Sequence, residues 1–237
     1  MTTEETPVQS GDSHRIFWRC CWIPCWLWMT AWYRYRCFGA RNIPRTGGVL
    51  FVANHQSFFD PIVIGLGTFH RPFRAMARAT LFDNPKFAWL IRSLGAIPVR
   101  QGAGDKAAIK ACIDALKAGQ MLLVFPEGAR TLDGDVHEFA PGTMLLIKRA
   151  RPMVVPVAVE GVFDVWRRGQ SLPHPTGITY AQFGEPIPAD KLVEMGAEAG
   201  LKHLRDIVEG MRQELRSRMP VIPQRRQDAK TPSNAGA

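Results

Sequence analysis

An α/β fold, with a mixed central sheet flanked by helices and a Trp-rich membrane-associating helical segment in front, is the class the sequence predicts. Three observations carry it. From residue 41 onward, short aliphatic runs alternate with stretches of helical periodicity. The chain has 237 residues, 46% of them hydrophobic, enough for one layered core without disulfide or metal staples. Five of the seven tryptophans fall between positions 18 and 32. A mean hydropathy of −0.10 excludes a many-pass membrane protein. Thirty Lys and Arg against 21 Asp and Glu leave a net charge of +9. That excess favours an anionic partner: nucleic acid, an acidic lipid surface or a phosphorylated small molecule.

Residues 1–14 are polar and carry Glu4, Glu5 and Asp12 where a signal peptide would need basic residues, so they read as a tail. Residues 15–40 read as an interfacial membrane anchor. Their charge-free window, 20–33, would reach roughly 21 Å as a helix, short of the roughly 30 Å hydrocarbon core. Pro24 would kink it. Tryptophan favours the headgroup boundary, and Arg15, Arg19, Arg34 and Arg36 flank the run to meet anionic lipid. A single tilted span and a core helix of the domain are the rival readings of this segment. Cys20, Cys21, Cys25 and Cys37 have no distant Cys or His pair to complete a zinc site, so they read as free thiols in a reducing setting.

The apolar runs 49–53, 73–77, 96–99, 121–125, 154–159 and 178–183 predict strands, each bounded by Gly, Pro or charge. Between them, 61–69, 85–94, 105–117 and 141–150 predict helices. In 105–117 the residues Ile109, Cys112, Ile113 and Leu116 share one face, which makes Cys112 a core residue rather than a nucleophile. Leu201, Leu204, Val208, Met211 and Leu215 repeat the stripe in a C-terminal helix. Residues 219–237 mix Pro, charge and small residues and read as a loose tail.

Three strand ends carry candidate chemistry. NHQSFFD (54–60) offers His55 and Asp60 on one loop; a carboxylate on one ring nitrogen orients a histidine to take a proton with the other. Asp60 also precedes Pro61, as a helix N-cap would. FPEGAR (125–130) offers Gly128 for close backbone approach and Arg130 as a planar fork for phosphate, with a Glu127–Arg130 ion pair as the plainer reading. GAIPVR (95–100) ends in Arg100. Asp133, Asp135 and His137 lie in turn chemistry, so no metal is expected, and no reading motif for nucleic acid is present.

The order of these pieces, together with Val155–Pro156–Val157 and with Phe139 and Gly142 after the third motif, resembles the glycerolipid acyltransferase family, particularly lysophosphatidate acyltransferases, from about residue 49 to 187. The resemblance implies an acyltransferase domain at 41–218 in which His55 is general base and Asp60 orients it, without a covalent acyl-enzyme, leaving Ser57 as a loop hydrogen-bonder. It implies that Arg100, Glu127, Gly128, Arg130 and Arg78 bind the acceptor, a lysophospholipid, and that acyl-CoA or acyl carrier protein is the co-substrate, with no cofactor. Two positions depart from the family. Thr80 stands where an acid is usual after Arg78, and Ala129 where a hydroxyl residue is usual, which leaves a lyso-aminolipid acceptor open. A lipid hydrolase and a non-catalytic lipid binder are the competing functions. More basic residues follow the Trp-rich segment than precede it, which places the domain on the cytoplasmic side of the membrane, monotopic rather than spanning.

Overall fold

A computed structural model describes residues 11–100 and 105–220. The expected tails at 1–14 and 219–237 lie largely outside the described residues. The chain is mixed α/β, with helices on both faces of an eight-stranded sheet. In chain order the elements are α1 (Gly11–Tyr33), β1 (Arg36–Phe38), β2 (Val49–Ala53), α2 (Asp60–Leu66), β3 (Phe73–Arg78), α3 (Pro85–Ser93), β4 (Ile97–Val99), α4 (Lys106–Lys117) and β5 (Met121–Val124). Then follow α5 (Gly142–Ala150), β6 (Met153–Glu160), α6 (Val162–Val165), β7 (Tyr180–Phe183), β8 (Ile187–Pro188), α7 (Ala189–Glu194) and α8 (Ala197–Arg218).

The sheet runs β1-β7-β6-β2-β5-β3-β4, with β8 also on β6. The five strands from β6 to β4 are mutually parallel, and β7 and β8 run antiparallel to β6. Parallel strands need crossovers that cover both faces, which is why β2 and β5 are apolar at every position and fully buried. The pleat then sorts them. Leu50, Val52, Leu122 and Val124 face α4, α5 and α8, while Phe51, Ala53, Met121 and Leu123 face α1 and α2. The expected stripe of α8, Leu201 to Leu215, lies against the first face. Cys112 is in the same layer with no exposure, and burial pushes its thiol up to about 12, so at neutral pH it stays protonated.

The Trp-rich segment is one helix that continues through Pro24. One stripe of α1 (Trp18, Met29 and Tyr33) is buried on the sheet, and the Trp22 indole donates to the Leu66 carbonyl. The opposite side exposes Ile16, Ile23 and Leu27, and Trp26 and Trp32 are exposed along the flanks of the buried stripe. The helix is thus part of the core on one face and bare and apolar on the other. No helix among the described residues is long and apolar enough to cross a membrane. Residues 36–38, inside the stretch read as the anchor, form the edge strand β1 and pair with β7.

Candidate active site

Because β2, β5, β3, β4 and β6 are parallel, their C-terminal ends open on one edge of the sheet, where an α/β fold builds its ligand crevice. The NHQSFFD loop leaves β2 there. Asn54 is buried and clamps the exit: its side chain both donates to and accepts from the main chain of Val159 in β6. His55 follows, and its Nδ1 lies 2.7 Å from Asp60 Oδ2. Its ring stacks on Phe125 at 4.0 Å between centroids, 14° from parallel. Its main-chain N–H donates to Glu127 Oε1 at 2.8 Å, and its carbonyl accepts from Thr131 N–H at 2.8 Å. Ring and backbone are therefore both fixed, and Nε2 is left without a partner among the described residues.

Asp60 is fully buried at the start of α2. It does not cap that helix as its place before Pro61 suggested. Instead Oδ2 turns back to the loop and accepts from the Gln56 and Ser57 main-chain N–H groups at 2.7 and 2.8 Å, as well as from His55. The local reason is competition: a short carboxylate beside a tight loop satisfies the nearest unpaired amides first. Burial pushes the Asp60 carboxyl up, against the opposite pull of His55 and the two amides. Ser57 Oγ accepts from the Phe59 N–H, a loop hydrogen bond as expected of it.

From β5, the FPEGAR loop meets this one. Glu127 makes no ion pair with Arg130. Both of its oxygens accept main-chain N–H groups, from His55 and from His137, and burial pushes its carboxyl up. Gly128 turns the chain with φ of +72°, a left-handed conformation that a side chain would strain, and the space a Cβ would fill holds no protein atom. Arg130 lies with its guanidinium 3.6 Å over the Phe58 ring, and its buried Nη1 has no hydrogen-bond partner. Burial, then the charges of Arg168 and Arg78, push Arg130 down, while Asp60 pulls it the other way. That set of neighbours places Arg130, Arg78 and Arg168 around the His55–Asp60 loop.

The expected residues thus divide. His55, Asp60, Glu127, Gly128, Arg130 and Arg78 converge. Arg100 follows β4, the edge strand, with β3 and β5 between it and β2, so it starts roughly 14 Å across the sheet from His55 at about 4.8 Å per strand. Its main-chain N–H is held by Asp105. Arg168 was not foreseen. It lies in the loop after α6, its Nη1 reaches the Arg130 carbonyl, and nothing in WRRG (166–169) marks it as more than a surface charge. Gln56 was also missed: it is buried, donates to the Gly134 carbonyl and accepts from Phe163 N–H, tying the histidine loop to α6.

A sequence model described as Acyltransferase matches residues 34–160, over half of the chain. The chain is 26% identical over 140 residues to the chloroplastic 1-acyl-sn-glycerol-3-phosphate acyltransferase LPAT1 of Arabidopsis thaliana, covering 58% of this chain and 39% of that protein. It is 29% identical over 160 residues to the lyso-ornithine lipid O-acyltransferase of Pseudomonas aeruginosa, covering 61% of each. The chain therefore spans less than two thirds of the length of these relatives. The crystal structure of the 1-acyl-sn-glycerophosphate acyltransferase PlsC from Thermotoga maritima superposes with a TM-score of 0.71 at 25% identity, over 88% of this chain and 80% of that one. With that match over residues 34–160, more than half of its length, and the shared fold, the chain belongs to the Acyltransferase family.

Proposed function

We propose that the chain transfers a fatty acyl group from a thioester, acyl-CoA or acyl carrier protein, to the free hydroxyl of a lysophospholipid at a membrane surface, with lysophosphatidate as acceptor and phosphatidate as product. The observation that carries this reading is the His55–Asp60 contact of 2.7 Å beside the Arg130, Arg78 and Arg168 charges. His55 Nε2 takes the proton of the acceptor hydroxyl while its oxygen attacks the thioester carbonyl carbon. The C–S bond breaks, and the leaving thiolate recovers that proton from the imidazolium. Asp60 holds Nδ1–H and balances the charge that appears on the ring. Glu127 acts through His55, by fixing its main chain, and Arg130 with Arg78 grips the acceptor's phosphate. Gly128 leaves room above the loop, and Arg100 serves the outer rim.

The reaction is tested by offering purified protein acyl-CoA and acyl carrier protein thioesters against a panel of lyso-lipids and following products by mass. Two-chain phosphatidate from lysophosphatidate is the expected result. Free fatty acid alone would mean a hydrolase, and no turnover a lipid binder. A lyso-aminolipid acceptor is the second reading, favoured by Ala129 and Thr80 and by the name of the Pseudomonas relative. Preference for such an acceptor over lysophosphatidate would displace the first reading.

The bare face of α1 supports docking on the membrane without spanning it. Removing residues 1–40 would not test this cleanly, because Trp18, Met29 and Tyr33 belong to the core. Ile23→Ser combined with Leu27→Ser leaves the buried stripe intact. At about 1–1.5 kcal/mol for each half-exposed side chain, the pair is expected to weaken binding to anionic vesicles roughly 30-fold or more. Unchanged co-sedimentation would show that α1 is not the docking face.

A further inference from the structure

A cavity of about 970 Å³ opens at the other edge of the sheet, by the N-terminal ends of β3, β4 and β5. Its innermost arginine, Arg74, lies roughly 13 Å along β3 from Arg78 at the edge that carries His55. Four arginines line it, Arg15, Arg71, Arg74 and Arg92, and among the described residues no Asp or Glu does. Their roles differ. Arg71 gives three of its five N–H groups to the carbonyls of Pro44, Gly47 and Gly119, so it contributes charge more than donors. Arg74 gives Nε to Gln120 at 2.7 Å, and its two terminal nitrogens have no partner among the described residues. Arg92 lies 5.3 Å over the Phe82 ring, and Arg15 is exposed.

Among the described residues no carboxylate pairs with these charges. Burial, then Arg15, pushes Arg71 down, and burial pushes Arg74 down, with no carboxylate acting on either. A concave site that gathers like charges and keeps guanidinium donors free is complementary to phosphate. One side of its rim is aromatic: Trp89 lines the cavity and is 63% exposed, and Phe17 of α1 packs edge-on against that ring at 5.6 Å. The mouth therefore adjoins α1 through Arg15 and the Phe17–Trp89 contact, and an anion entering there without an apolar tail would leave the Trp89 face in water.

We propose that this cavity is a second lipid site, which takes the phosphate headgroup of an anionic phospholipid from the surface on which α1 lies. Arg74 and Arg92 bind the phosphate oxygens, Arg71 and Arg15 supply charge, and the acyl chains leave past Trp89. The site is remote from His55 and independent of acyl transfer; only the source of the ligand rests on the interfacial reading of α1.

A soluble ligand separates the two. Dihexanoyl phosphatidylglycerol, kept below its micelle concentration, is titrated by calorimetry into Arg130→Ala protein, in which the arginine cluster at the catalytic edge is weakened. Adding Arg74→Gln and Arg92→Gln is expected to weaken binding at least tenfold, and the exposed change Arg92→Gln alone at least threefold, with Arg74→Lys/Arg92→Lys retaining most of the affinity. Dihexanoyl phosphatidylcholine, with the same tails and no net charge, should not bind. Equal affinity with and without Arg92→Gln would overturn the site. Inorganic phosphate or CoA binding as tightly as phosphatidylglycerol would overturn its assignment to a lipid.

Discussion

Replacing His55 with alanine is expected to abolish acyl transfer and to leave vesicle binding unchanged. A positioned base contributes roughly 10²–10⁴ in rate, and here the ring is held on three sides, by Asp60 at Nδ1, by the Phe125 face and by its own doubly bonded main chain. Asp60→Asn separates orientation from charge. The amide oxygen can still accept from Gln56 and Ser57, so the loop keeps its shape. A neutral side chain cannot balance the imidazolium, however, even though its oxygen can still accept from Nδ1–H. The loss expected in kcat for Asp60→Asn is therefore on the order of 10²-fold or more, with the thermal midpoint nearly unchanged. Activity near the native level in His55→Ala would remove the histidine from the reaction. A collapse of stability in Asp60→Asn would make the contact structural instead.

Much of the frame behind that prediction was legible in the sequence, for physical reasons that differ by element. β2, β5 and β6 are sealed on both faces, so they appear as continuous aliphatic runs that no loop or surface helix imitates. α4 and α8 bury one stripe and show it as a period. β1 was hidden because an edge strand of three residues, Arg36, Cys37 and Phe38, needs no more than a partner in β7 and looks like the end of the aromatic segment. α1 itself mixed two signals. Its buried stripe and its exposed apolar face together look hydrophobic all round, and only packing against the sheet reveals which side is which. In the site, the His55–Asp60 pair is local and was readable. Asp60's amide partners were not distinguishable from a helix cap, since both roles call for the same short acid. Glu127 depends on amides 72 and 10 residues away, and Arg168 on a loop returning from α6, which no spacing rule encodes.

Arg130→Ala should discriminate between acceptors rather than disable the chemistry. Burial and the neighbouring charges of Arg78 and Arg168 push Arg130 down, so an incoming phosphate relieves repulsion as well as accepting hydrogen bonds, and the buried Nη1 that lacks a partner gains one. A charge-assisted hydrogen bond is worth about 1.5–3 kcal/mol, which corresponds to roughly 10–150-fold in kcat/KM. The loss should fall mainly on KM for lysophosphatidate, because the phosphate is bound alike in ground and transition states. With a monoacylglycerol acceptor, which has no phosphate to place, the same substitution should change kcat/KM by less than about threefold. Arg130→Lys should recover only part of the loss, since an ammonium supplies the charge but neither the fork of donors nor the flat stacking on Phe58 at 3.6 Å. Equal losses with phosphorylated and unphosphorylated acceptors would show that Arg130 holds the loop in place through Phe58 and that the headgroup is recognised elsewhere.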